Sequence, residues 1–244
     1  MAGIVELKNV SFFVQNRLIV QNFFHNFQEG KTTALVGPSG SGKSTVLKLA
    51  AGLLVPREGE VHFRGKEIFA MNRQENLSFR KEASMVFQDS ALWANQSLYQ
   101  ILELPLRIHF TNMLSWEREN RIREVLKEVG YKRDLNIRPS QLSMGEQKLI
   151  AFARAMMCWP KLLFLDEWTE SLDDSASVRL IQLVQRHQRE NKTVIFVSHD
   201  LRIIKSLADC ILMIVEGQLQ MVISREQIEG DKELALYVEK GIAE

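Results

Sequence analysis

The stretch Gly37-Pro-Ser-Gly-Ser-Gly-Lys43-Ser44-Thr45 constrains this chain more than any other. It follows an apolar run, Lys31 to Val36, and leads into a segment of helical character from Lys43 to about Leu54, closed by Pro56 and Gly59. Strand, glycine-rich turn and helix in that order fit the phosphate-cradle pattern G-x-x-x-x-G-K-[ST]. Gly37, Gly40 and Gly42 let the backbone curl so that its N–H groups converge, with Pro38, Ser39 and Ser41 between them. The helix adds its positive N-terminal end. Lys43 supplies a charge for the β and γ phosphates, and Ser44, followed by Thr45, offers a hydroxyl to Mg²⁺. The motif alone leaves nucleotide kinases, GTPases and motor ATPases open. A GTPase also wants an Asn-Lys-x-Asp base reader, and the nearest string, Asn191-Lys192-Thr193-Val194, lacks the Asp.

The rest of the chain supports an α/β sheet around that turn. Short β-like runs open it at Ile4–Val10, Leu18–Val20 and near Phe27, and another covers Glu60–Phe63. From about Asp89 to Gln141 the reading is helical. Its clearest helix is Glu117–Val129, where Ile122, Val125, Leu126 and Val129 form one apolar face and Gly130 stops it. Strand and helix then alternate: Leu162–Leu165, Asp174–Arg189, Thr193–Val197, Leu201–Ala208. A hairpin, Ile211–Val215 with Gln218–Ile223, turns at Glu216-Gly217. This alternation predicts a parallel sheet with right-handed crossovers.

Composition narrows the setting. Among 244 residues the formal net charge is +1, which leaves no basic field for nucleic acid. No apolar run approaches the roughly 18 residues of a membrane helix. Met1 to Glu6 lacks a signal-peptide pattern, so the chain is expected to stay in the cytosol and to reach any membrane through a partner. Cys158 and Cys210 stand far apart outside any metal or redox spacing and read as reduced packing residues.

Five further motifs follow in order. Phe87-Gln88 precedes the helical stretch. Leu142-Ser143-Met144-Gly145-Glu146-Gln147 leads into Ala151-Phe-Ala-Arg154-Ala155, and Leu162 to Asp166-Glu167 ends an apolar strand. Ser171-Leu172-Asp173 and Val197-Ser-His199-Asp200 come after it. Asp166 at the strand end emerges where open α/β sheets bind ligands. Ser143 with Glu146 is a capping box, and a capped helix start near Gly145 is also a phosphate-binding end.

In type and order these motifs resemble those of ABC ATPases over about Ile4 to Gln220: Q-loop, signature, Walker B, D-loop and switch histidine. The resemblance implies a P-loop α/β core with an antiparallel β edge and a helical subdomain. It implies one domain over 1–244, with core and β edge at 1–88 and 146–224, the helical subdomain at 89–145 and a short helical tail at 225–244. It implies ATP and Mg²⁺ as ligands. Ser44, Gln88 and Asp166 attend the metal, Glu167 polarises the attacking water, and His199 and Gln88 sense the γ-phosphate. Ser143, Gly145 and Glu146 belong to a signature that faces ATP held by a second subunit, and Asp173 to a contact with that subunit. The implied partners are a second ATPase subunit, with a homodimer favoured, and a separate membrane permease docked near Asp89–Gln100. The implied location is the cytoplasmic face of the plasma membrane. A soluble ABC ATPase of repair, translation or iron–sulfur assembly is the alternative.

The chain departs from the family pattern in places. Val14 stands where an aromatic residue stacks on adenine, with Phe13 beside it as a second candidate. Met144 replaces a glycine and Glu146 a glutamine, and Trp168 follows Glu167 in place of proline. Phe87 to Leu106, with Leu236 to Gly241, is similar to lipid-trafficking Mla/Mce-type ATPases, which suggests lipid cargo.

Overall fold

The structure, a computed structural model, describes residues 3–230. The string Leu236 to Gly241 and most of the expected tail lie outside the described residues.

Two sheets and a set of helices build the chain. A hairpin of β1 (Gly3–Val14) and β2 (Arg17–Gln28) replaces the short runs expected at the start. Its tip, Gln15 and Asn16, has φ of 46° and 64°, the left-handed pair of a tight hairpin turn. With β4 (Glu58–Phe63) and β5 (Lys66–Glu67) these strands make an antiparallel sheet in the order β2-β1-β4-β5. The second sheet runs β10-β9-β3-β8-β7-β6. Its members are β3 (Thr32–Val36), β6 (Ala83–Val86), β7 (Leu162–Asp166), β8 (Thr193–Val197), β9 (Cys210–Val215) and β10 (Gln218–Ser224). All neighbours are parallel except β9 and β10, so β3, β6, β7 and β8 end on the same edge.

The central strands are buried on both faces, which explains their unbroken apolar runs. One face, with Leu35, Phe164 and Ile195, packs against α1 (Lys43–Ala50) and the antiparallel sheet. The other, with Val36, Leu165 and Phe196, packs against α3 (Leu98–His109), α4 (Ser115–Val129), α5 (Met144–Met156) and α6 (Asp174–Arg189). α1 stops at Ala50, short of the expected Leu54, because Gly52 turns left-handed at φ 61°. The Leu53 and Gly52 amides then close back on the carbonyls of Lys48 and Leu49, the two bonds of a Schellman cap.

The sequence reading passed over α2 (Arg73–Glu82) and β6. Asn72 caps α2 in a capping box with Glu75, and only Phe79 of the helix is buried. The rest of the chain comprises α7 (Leu201–Leu207), close to its expected span, and α8 (Arg225–Gly230). Among the described residues no helix is long and apolar enough to cross a membrane.

Candidate nucleotide site

The common edge of β3, β6, β7 and β8 carries the site. A cavity of about 370 Å³ is lined by Ser39, Gly40, Gly42, Lys43, Ser44 and Thr45 from the loop and helix after β3. Gln88 after β6, Glu167 after β7, and Val197 and His199 at the end of β8 complete it, together with Ile19 of β2. Residues from Ser39 to His199 therefore meet because four parallel strands finish together, and Ile19 joins them from the antiparallel sheet.

Each part of the loop has a local cause. A β-carbon on Gly37 would lie 1.9 Å from the Ile214 carbonyl oxygen, at a φ of 145°. Gly42 has φ 97° and caps α1 with no side chain, which leaves the first amides of the helix unclaimed. A β-carbon on Gly40 would meet nothing within 4 Å, so that side of the loop is open. The Lys43 ammonium donates to the carbonyls of Gly37 and Pro38, both at 2.8 Å. Burial lowers its pKa, against which the charges of Glu167 and Asp166 act. The turn of the β9–β10 hairpin braces the loop from beneath: the Gly217 amide donates to the Ser41 carbonyl at 3.0 Å.

Asp166 is fully buried. The Ser44 hydroxyl donates to its Oδ1 at 2.7 Å, Lys48 lies 3.9 Å from Oδ2, and Oδ2 accepts no hydrogen bond. A hydroxyl and an orphaned carboxylate oxygen side by side are hard oxygen donors of the kind Mg²⁺ takes, so the residues fit that ion. Burial raises the Asp166 pKa, partly offset by the Ser44 hydrogen bond.

Glu167 has φ 41°, a left-handed conformation that costs about 1–2 kcal/mol for a residue with a β-carbon. Its amide is tied to the Val197 carbonyl at 3.2 Å. Its Oε1 lies 3.2 Å from Nε2 of His199, close enough for an ion pair but not aligned as a hydrogen bond. Burial raises the Glu167 pKa and the His199 charge opposes that rise, so the carboxylate moves toward the range that suits a general base. The Gln88 amide donates to Glu170 at 3.3 Å.

Trp168, in the place of proline, turns into the core rather than toward solvent. It is wholly buried, with its ring 5.7 Å from that of Phe152 on α5. An indole in the core holds the start of this loop where proline would restrict φ.

The signature residues contribute nothing to the cavity wall of their own chain. Ser143 caps α5, accepting from the Glu146 amide at 3.2 Å, while Glu146 accepts from the Ser143 amide at 2.9 Å. Arg133 also holds Glu146, at 2.9 and 3.0 Å to its two oxygens, so the charge that replaces glutamine is paired. Met144 is 71% exposed. Gly145 leaves 2.8 Å between a would-be β-carbon and the Ser171 carbonyl oxygen, joining the signature to the Ser171–Asp173 loop. Asp173 is occupied as the cap of α6, accepting from the Ala176 amide at 2.8 Å.

The adenine candidates fare differently. Neither Phe13 nor Val14 lines the cavity. Phe13 lies under the Arg57 guanidinium, 4.9 Å from its ring centre, and Val14 is half exposed near the hairpin tip. Ile19 reaches the cavity instead. The β1–β2 register skips it, Phe12 facing Val20 and Phe13 facing Leu18, and no simple strand alternation forecasts that irregularity.

A second cavity, of about 560 Å³, opens between α3 and β6 and is walled by Leu53, Phe87, Trp93, Leu104 and Ile108 among others. Within Asp89–Gln100, the segment expected to dock a permease, Trp93 is exposed. Leu92 and Tyr99 instead pack half-buried against the helical core.

Comparison with known proteins agrees with this geometry. The family model described as ABC transporter matches residues 20–170. The nickel import ATP-binding protein NikE of Escherichia coli (strain K12) is 34% identical over 222 residues, covering 89% of this chain and 81% of that protein. Its counterpart in Shigella flexneri is 35% identical over the same lengths. A dimeric ATP-binding cassette, solved in a post-hydrolysis state with ADP and phosphate, superposes with a TM-score of 0.84 at 30% identity, covering 91% of this chain and 98% of that one. The protein cbiO1 of Clostridium perfringens, part of the ABC transporter complex cbiONQ, gives 0.76 at 26% identity, with 98% and 96% covered. This chain is therefore a member of the ABC transporter family, an ATPase that couples ATP hydrolysis to transport.

Proposed function

We propose that two copies of this chain close around two ATP molecules and drive a separate membrane permease. The carrying observation is the pairing of Ser44 with Asp166, whose second oxygen accepts no hydrogen bond, directly beside a strained and largely shielded Glu167. Ser44, Asp166 and Gln88 would hold Mg²⁺, which supplies charge neutralisation at the β and γ phosphates when bound. The loop amides from Ser39 to Thr45 and Lys43 grip the phosphates. Glu167 takes the proton of the attacking water, and His199, already 3.2 Å from Glu167, orients that pair against the terminal phosphate.

The signature stands apart from the cavity of its own chain, so its natural ligand is the nucleotide of a partner copy. Solved relatives that are dimers support that reading. The groove beside Trp93 includes Phe87, whose chain neighbour Gln88 lines the nucleotide cavity, which suits a permease segment whose docking reads the nucleotide state. The chain then works at the cytoplasmic face of the membrane through that permease. Relatives named for nickel import support an importer and lend nothing to the lipid cargo suggested by short strings. Cargo choice rests with the permease.

Purifying the chain from its native membrane, with Trp93→Cys as a crosslinking handle, tests this. Crosslinks to an integral-membrane subunit are expected, and crosslinks confined to soluble proteins would overturn the transporter role. Mass spectrometry of the captured permease then decides between metal and lipid cargo.

A further inference from the structure

Lys148 lies on α5, behind the signature, and is only 3% exposed. Its ammonium points at three backbone carbonyls from two loops: Phe87 at 3.5 Å, Gln88, and Glu167 at 3.3 Å. An ammonium has three N–H donors and no acceptor, so its capacity matches this set of acceptors. Burial works against the charge, and the carboxylates of Glu170, Asp166, Asp89 and Glu167 offset part of that penalty. Arg154, also on α5, donates to the Ser90 and Ala91 carbonyls of the same loop but does not reach Glu167. The Glu167 backbone is held on one side by Val197 of β8 and on the other by Lys148.

We infer that Lys148 is a positioning residue for ATP hydrolysis, fastening the Gln88 loop and the Glu167 backbone to the helix that begins at the signature. The inference rests on the site reading given above. A rigid α5 held at Ser143 by a partner's nucleotide would transmit its position through Lys148 to the carboxylate acting on its own chain's nucleotide. Lys148 touches no substrate, and it acts on the rate through the placement of Glu167 and Gln88. A misplacement of about 1 Å in such a group costs up to about 100-fold in rate.

The test compares Lys148→Met, Lys148→Gln and Lys148→Arg in the full chain, with kcat, KM for ATP and thermal midpoint measured for each. Met keeps the stem and loses every donor, so kcat should fall about 10- to 100-fold with KM within about threefold. Gln offers two N–H donors and should fall between Met and the parent, and Arg should recover most of the rate. If Met prevents folding, Gln against Arg carries the test alone. Folded Met or Gln protein at the parent kcat would overturn the inference. So would a loss that appears wholly in KM or in the folded fraction. Glu167→Gln, run in parallel, separates the two levels. Parent-like hydrolysis there means that the site reading has failed. An inactive Glu167→Gln beside a fully active Lys148→Met means that only the positioning role has failed.

Discussion

Two helices of this chain start beside a glycine and face phosphate chemistry, yet they start differently. α1 opens at Gly42 with no side chain capping it, so its leading amides are free for a ligand. α5 opens at Ser143 with a complete capping box, and Arg133 clamps the Glu146 half of that box from outside. The first end is preformed, and a nucleotide displaces no protein contact from its amides. The second already satisfies itself, so in the proposed dimer it would share its donors with a ligand held by the other subunit. The contrast means that one chain should bind ATP alone through the first end, while the second matters only when two chains meet.

Five substitutions can break or sharpen that contrast. Glu167→Gln should have the largest effect, because losing a positioned base costs about 10²- to 10⁴-fold in rate. Binding at the preformed end should survive, so the variant should sediment as a dimer with Mg-ATP and as a monomer with Mg-ADP. Adding Ser143→Arg should disperse that dimer. A nucleotide-blind dimer would show that the capped end plays no part.

Next comes Lys43→Ala. It removes charged hydrogen bonds worth about 1.5–3 kcal/mol, so ATP affinity of the dilute chain should drop about 10- to 100-fold, read by titration calorimetry. Ser143→Ala should leave that affinity unchanged while costing about 1 kcal/mol of folding stability as a lost helix cap. Equal loss of affinity in both variants would erase the distinction between the two ends. The smallest effect belongs to Glu146→Gln, which keeps the capping box but removes a carboxylate near the partner's phosphates. Dimer affinity in the Glu167→Gln background should rise about two- to fivefold, in line with a partly exposed charge already paired with Arg133. An unchanged or weakened dimer would mean that Arg133 already cancels the charge.

What could be read in advance divides along physical lines. β8 and α6 fall on their expected residues, because buried strands read as unbroken apolar runs and Asp173 signals a helix start. The glycine-rich cradle was legible as residue types at fixed spacing, Asp166 as the polar end of an apolar strand, and His199 only through the family resemblance; the structure brings all three to one sheet edge. α2 was missed because it buries a single side chain, so it carries almost no apolar period, although its Asn72–Glu75 box was visible. Four-residue β6 is too short to alternate. Ile19 reaches the site only through an irregular register, and Lys148 only because a fold brings three distant carbonyls to one ammonium. Contacts that exist only in three dimensions leave no periodic trace in the chain.

The position of β3 also orders events in time. This strand carries the phosphate loop and is made early, yet both of its neighbours, β8 and β9, lie far downstream. The glycine turn that braces the loop, at Gly217, comes later still. At translation rates of 5–20 residues per second, the roughly 160 residues between β3 and β8 take about 8–30 s to emerge. Throughout that interval the nascent chain carries its nucleotide motif on a strand with two unpaired edges. The phosphate loop therefore gains its flanking strands and its brace only after β8, β9 and the Gly217 turn have emerged.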